Sequence, residues 1–138
     1  MVKDIVTDKE LLSQKCEKAT PEDAQVFQDL VDTFEEHQDE CVCMAANMIG
    51  YQKRVIVIAG EEGPKLMVNP AIIDKKQAYF AQEECLSRPD GKPRGAKRYK
   101  RVKVKYVDAD FAEHEEVLDE FSSQCVLHCV DHCNGVVI

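Results

Sequence analysis

Long hydrophobic runs are missing from this sequence of 138 residues. One of the longest, VIVIA (55–59), is far too short to span a bilayer. The N-terminal segment MVKDIVTDKELL also lacks a continuous hydrophobic stretch after its basic residue, so that no signal peptide is expected. We therefore predict a cytoplasmic protein without membrane contact.

Basic residues are scarce as well: the sequence has 18 of them and 26 acidic residues, so that the net charge is −8. This balance argues against a general nucleic-acid binder and predicts no specific DNA partner. The exception is the segment 92–105, which carries eight of the 18 basic residues. Because part of it alternates like a strand, we interpret these charges as a solvent-facing basic edge, with ribosome contact as the alternative.

Internal repeats and low-complexity linkers are absent, which predicts a single domain over residues 1–138. Apolar positions at helical spacing, including Ala24, predict an N-terminal helix over 20–38 that Thr20 caps. A closing helix is predicted over 119–134, with Asp119 as its cap. Five extended segments lie between the two helices: 54–60, 65–75 with an interruption at Asn69-Pro70, 77–87, 101–110 and 112–120. The pattern predicts an α+β fold of mostly antiparallel strands.

The seven cysteines include several near histidines, which in a reducing compartment favours metal or thiol chemistry over disulfides. Cys16 is the first candidate for a merely buried thiol. On the closing helix, His128 and His132 are one turn apart and can place two imidazole nitrogens on one ion. Such a pair is a weak signal alone and needs a third ligand, for which Cys85 is the candidate.

Three segments together resemble the signature motifs of the peptide deformylase family, in the family's order. CVCMAANM (41–48) is similar to Gly-x-Gly-hydrophobic-Ala-Ala-x-Gln, EECLS (83–87) to Glu-Gly-Cys-Leu-Ser, and HCVDHCNG (128–135) to His-Glu-x-Asp-His-hydrophobic-x-Gly. The resemblance covers roughly residues 15–138. It implies a peptide-deformylase-like fold around a C-terminal metal-binding helix. It also implies the family's reaction, removal of formyl from the N-terminal formylmethionine of nascent bacterial peptides.

The resemblance also implies a site. Cys85, His128 and His132 match the three ligands of a divalent ion, Fe²⁺ or Zn²⁺. Leu86 matches the residue whose backbone N–H helps to hold the formyl oxygen. The resemblance further implies two supporting residues: Asp131, expected to orient a histidine, and Arg98 after the second motif.

The sequence departs from the family's motifs at the positions whose side chains perform the reaction. Cys129 stands where the family has its general-base glutamate, and Met48 where it has the glutamine that donates to the oxyanion. Losing a general base costs about 10²–10⁴-fold in rate, and losing one oxyanion donor about 10²–10³-fold. Cys41 and Cys43 replace two glycines and are expected to narrow the peptide groove. We therefore expect deformylase activity to be weak or lost.

Several alternatives stay open. Four sulfurs could close the site and displace its water, those of Cys43, Cys85, Cys125 and Cys129. The site could also hold no metal. A module that binds N-terminal peptides or the ribosome without catalysis, and a thiol-rich metal or redox sensor, are the competing functions.

Overall fold

All residues, 1–138, are described by a computed structural model, which contains one antiparallel sheet and three α-helices. The strands are paired in the order in which they occur in the chain. The elements are α1 (Lys9–Leu12), α2 (Ala24–Glu36), β1 (Cys43–Ala45), β2 (Val55–Gly60), β3 (Gly63–Glu83), β4 (Arg94–Val107), β5 (Glu113–Asp119) and α3 (Glu120–Cys133). The predicted α+β fold is confirmed. No helix has both the length and the apolar character that a membrane span requires.

The first long helix begins with a 3-10 turn, Pro21–Asp23, before it continues as α2. The Thr20 hydroxyl accepts from the N–H of Glu22, and the Asp23 carboxylate accepts from the N–H of Thr20, as in a capping box. Ala24, expected on the buried stripe, is exposed because the stripe starts only at Val26. The helix packs its buried apolar side chains on the sheet: Val26, Phe27, Leu30 and Phe34.

The second and third predicted extended segments form one long strand, β3. Asn69 adopts φ 53° and sits at an irregularity between Val68 and Ala71, so that it bends the strand without ending it. Its side-chain amide accepts from Ala19 N at 2.8 Å and donates to Ala19 O at 3.0 Å. Because this strand is unbroken, its end places the second motif next to the C-terminal helix.

The closing helix has nearly the predicted bounds and the predicted N-cap residue, but the side chain of this residue does not cap the helix. Asp119 occupies the N-cap position without a capping hydrogen bond, because its carboxylate accepts from Arg101 Nε at 2.7 Å. The helix ends before Gly135, which has a φ of +78°, a conformation that other residues rarely adopt. A Cβ atom at this position would also lie 2.6 Å from Ser13 O, which is too close. Glycine is therefore required there.

The basic run is only partly at an edge. Most of it is on β4, which pairs with β3 on one side but with β5 only over Arg101–Val107. The interpretation as a basic edge therefore holds for the first half of β4, Arg94–Lys100, and not for the second half.

Candidate metal centre

The end of β3 meets one face of α3 at three metal-binding side chains. The ligand atoms of Cys85, His128 and His132 all lie within 4.8 Å of one another. Nε2 of His132 is 3.4 Å from the Cys85 sulfur and 3.1 Å from Nε2 of His128. Both histidines are buried, and Cys85 is half-buried. The fold thus brings together the two predicted histidines and the predicted third ligand from 43 residues earlier in the sequence (128 − 85).

The charges of these groups depend on one another. Burial raises the pKa of Cys85, but its contacts with His128 and His132 outweigh burial and lower this pKa to about 5. Burial lowers the pKa of His128, whereas Cys85 and Glu83 raise it, to about 9. A thiolate next to imidazole nitrogens is a donor set that suits Zn²⁺ and Fe²⁺.

A residue that the sequence reasoning missed, Glu83, holds His128 in place. Its Oε1 accepts from Nδ1 of His128 at 2.8 Å, and its Oε2 accepts from Gln124 Nε2 at 2.9 Å. Arg98 donates to both oxygens, at 2.7 and 2.9 Å. Burial raises the pKa of Glu83, but these hydrogen bonds lower it to about 2. Its position as the first residue of the second motif was the available signal.

Asp131 does not orient a histidine, contrary to expectation. Its carboxylate accepts from Nη1 of Arg98 at 2.8 Å. Arg98 is only 3% exposed and joins Asp131 to Glu83. Asp131 therefore acts on the site only through Arg98. His132 is fixed instead through its backbone, since its carbonyl accepts from Asn47 Nδ2 at 2.9 Å.

The other sulfurs form a separate group next to the three ligand atoms. Cys129 is fully buried, and burial raises its pKa. Contact with Cys125 lowers the pKa of Cys43, but contact with Cys129 and burial raise it, and the net pKa lies well above its ordinary value. None of these three thiols belongs to the group of ligand atoms within 4.8 Å of one another. The arrangement therefore favours the three-ligand site over the alternative of a site closed by four sulfurs.

The two residues at the family's oxyanion positions differ in whether they can donate a hydrogen bond. Met48 is 2% exposed, and its sulfur accepts from Ala45 N at 3.4 Å. A thioether has no hydrogen to donate. Leu86 is half-buried, and its N–H donates no hydrogen bond within the chain. The Leu86 N–H is therefore the group that can donate to a ligand.

A pocket of about 590 Å³ opens onto Cys85 and His128. The cysteines at the family's glycine positions, Cys41 and Cys43, line this pocket and leave it open. Among the lining residues are Cys41, Val42, Cys43, Leu86, Phe121 and Gln124.

Comparisons with known proteins all point to one family, over nearly the whole length of this chain. The polypeptide deformylase family model matches residues 2–138. A peptide deformylase of Clostridium beijerinckii is 39% identical over 138 residues, which is 100% of both chains, and one of Agathobacter rectalis is 34% identical over 118 residues, 86% of this chain and 73% of the relative. A K1U-bound class I type b peptide deformylase from Acinetobacter baumannii superposes with a TM-score of 0.88 at 27% identity, covering 99% of this chain and 97% of that one. A peptide deformylase structure from Thermotoga maritima gives 0.88 at 26%, covering 99% and 95%.

Proposed function

Because this chain belongs to the polypeptide deformylase family, a family of metal-dependent hydrolases, we propose that it binds a divalent metal ion and N-terminal peptides but deformylates them slowly or not at all. The observation that carries this proposal is the contrast between two sets of side chains. Cys85, His128 and His132 converge within 4.8 Å, whereas Cys129, at the base position, is a fully buried thiol outside that group.

The residues fit the ion, which we propose to be Fe²⁺ or Zn²⁺. One sulfur and two imidazole nitrogens leave an open coordination position, as in catalytic zinc sites. Glu83 accepts from Nδ1 of His128 and so directs Nε2 towards the other ligands. A bound divalent ion polarises a carbonyl and acidifies water.

Proton transfer is the step that this chain is poorly equipped to perform. The raised pKa of Cys129 keeps its thiol protonated at neutral pH, so it cannot accept a proton as a glutamate does. Met48 offers no donor to a developing oxyanion, which leaves the unpartnered Leu86 N–H in this role. We expect these two losses to lower turnover by at least about 10²-fold.

Peptide binding does not depend on either missing group. Val42, Leu86 and Phe121 give the pocket apolar surface next to the ligand atoms. The deformylase of Acinetobacter baumannii was solved with Met-Ala-Ser bound, at a TM-score of 0.86 and 25% identity to this chain. We propose that a methionyl N-terminus occupies the same place here.

Two measurements on the metal-loaded protein test the proposal. Formate release from formyl-Met-Ala-Ser is expected to be at least about 10²-fold slower than with the Clostridium beijerinckii relative, while calorimetric titration shows that the peptide binds. His128→Ala should abolish metal binding. Formate release at the relative's rate would show that another group acts as base, and absence of peptide binding would refute the peptide site.

A further inference from the structure

The wall that α3 contributes to the pocket carries one amide side chain. Four residues of this helix line the pocket: Phe121, Gln124, Cys125 and His128. Their spacing places them along one face of the helix, and this stripe ends at the metal ligand His128. Gln124 is half-buried and lies between the exposed Phe121 and the ligand. No step of the proposed function uses it.

The amide of Gln124 is held in one orientation. Its Nε2 donates to Glu83 Oε2 at 2.9 Å, and its Oε1 accepts from Tyr79 Oη at 3.4 Å. Glu83 accepts from Arg98 at both of its oxygens and is therefore a carboxylate, which can only accept. The nitrogen of the Gln124 amide, and not its oxygen, must therefore face Glu83.

One hydrogen of this amide has no partner. An amide nitrogen carries two hydrogens, and only one of those on Nε2 of Gln124 is donated within the chain. A ligand that covers the side chain excludes water from it, and a buried donor without an acceptor lowers the affinity for that ligand. The pocket therefore favours a ligand that brings an acceptor to Gln124.

The charges of the pocket restrict which acceptor fits. Four carboxylates and one guanidinium line it, those of Asp39, Glu40, Glu83, Glu84 and Arg88. The Arg88 guanidinium is already engaged, because it donates to the carbonyls of Glu83 and Lys92. The carboxylates disfavour an anionic side chain, so that the acceptor near Gln124 should be neutral.

We propose that Gln124 selects peptides whose N-terminal methionine is oxidised to the sulfoxide. In the proposed peptide site, on which this selection depends, the formyl group lies at the ligand atoms and the side chain extends along the pocket. Gln124 is one helical turn, about 5.4 Å, from His128, so that this side chain can reach it. The sulfoxide oxygen is a neutral, polar acceptor, whereas the thioether sulfur of methionine accepts only weakly.

Calorimetric titration of the metal-loaded protein tests the selection. The ligands are formyl-Met-Ala-Ser, its sulfoxide form as two separated epimers, and its norleucine analogue. One sulfoxide epimer should bind about 10-fold more tightly than formyl-Met-Ala-Ser, because one hydrogen bond is gained. The other epimer should bind less tightly than the first, because the amide is fixed and the two epimers direct their oxygens differently. The norleucine peptide should bind no more tightly than the methionine peptide.

Gln124→Leu should reverse this order, since a sulfoxide then loses its donor and the norleucine peptide binds more tightly than either epimer. Gln82→Leu is the matched control, because Gln82 also lines the pocket but is exposed, and its side chain makes no hydrogen bond within the chain. This control should keep the preference for one sulfoxide epimer. The metal affinity of each variant is measured alongside, by competition with a chelator.

Three results would overturn the role of Gln124 in selection. These are equal affinities of the unmodified protein for all the peptides, a preference that Gln124→Leu leaves unchanged while it weakens metal binding, and equal loss of the preference in Gln82→Leu. The first comparison needs no variant and so does not depend on the folding of one. Failure of every peptide to bind would refute the proposed peptide site as well.

Discussion

The Glu83 carboxylate accepts a hydrogen bond from Nδ1 of His128 at 2.8 Å and thereby decides which nitrogen of that ring faces the other ligands. The opposite nitrogen, Nε2, lies 3.1 Å from Nε2 of His132. A strand end therefore sets the orientation of a helical side chain 45 residues away in sequence.

Glu83→Gln should weaken metal affinity by about 10–100-fold, because the amide keeps the side chain's shape but removes the charge that makes His128 a strong ligand. Competition with a chromophoric chelator measures the affinity. Glu84→Gln is the matched control, since Glu84 is exposed and makes no hydrogen bond within the chain. Thermal melts of both variants establish that they are folded. Equal affinities of Glu83→Gln and the unmodified protein would contradict a role for Glu83 at the site.

Restoring the family's residues should recover turnover only if space is restored as well. Cys129→Glu with Met48→Gln supplies a base and an oxyanion donor, but Cys43, which lines the pocket where the family has a glycine, is expected to obstruct the longer side chain of a glutamate. We expect formate release to rise by about 10²-fold or more when Cys43→Gly is added to the pair, and little without it.

The control for this restoration adds His132→Ala to the triple variant Cys129→Glu, Met48→Gln and Cys43→Gly. This fourfold variant should be inactive if turnover uses the metal. Equal activity of the double and triple variants would show that Cys43 does not obstruct the site. No gain in either would mean that more than these residues was lost.

The thiols should differ sharply in reactivity. The pKa of Cys85 is lowered to about 5, so its thiolate predominates at pH 7, whereas burial raises the pKa of Cys41 to about 11. Iodoacetamide at pH 7, followed by peptide mass spectrometry, should label Cys85 first in the metal-free protein, and added Zn²⁺ should slow this labelling. Faster labelling of Cys43 or Cys129 would favour the thiol or redox function instead.

Acid stability should depend on Asp29, which is 1% exposed on α2. Its carboxylate accepts from Tyr51 Oη at 2.6 Å and Gln25 Nε2 at 2.8 Å. Burial raises the pKa of Asp29, but hydrogen bonds, the largest from Tyr51, lower it from 3.8 to about 2. A folded-state pKa below the unfolded value stabilises the protein above the unfolded pKa, and this stability is lost as pH falls towards 2.

Asp29→Asn should therefore lower the free energy of unfolding by about 1–2 kcal/mol at neutral pH and by progressively less as pH falls below 4. Urea unfolding at several pH values measures the difference. Asp4→Asn, at an exposed position, should cause no such change. If Asp29→Asn lowered the free energy of unfolding by the same amount at every pH, the role given to the ionised Asp29 carboxylate would be contradicted.

The sequence by itself determined the parts that depend on local geometry. Thr20 and Pro21 begin the first long helix because capping acts within one turn. His128 and His132 share a face because any α-helix places residues four apart together. The replacement of the family's glutamate and glutamine by Cys129 and Met48 can be read directly from the motifs.

Only the tertiary structure decided which distant groups meet. Glu83 pairs with His128, and Asp131 with Arg98, across 45 and 33 residues of sequence, and neither partner follows from spacing. Asp119 failed as a cap because Arg101 on the neighbouring strand competes for its carboxylate. Side-chain hydrogen bonds are satisfied by whichever partner the folded chain brings within about 3 Å, and sheet pairing and helix packing set that proximity.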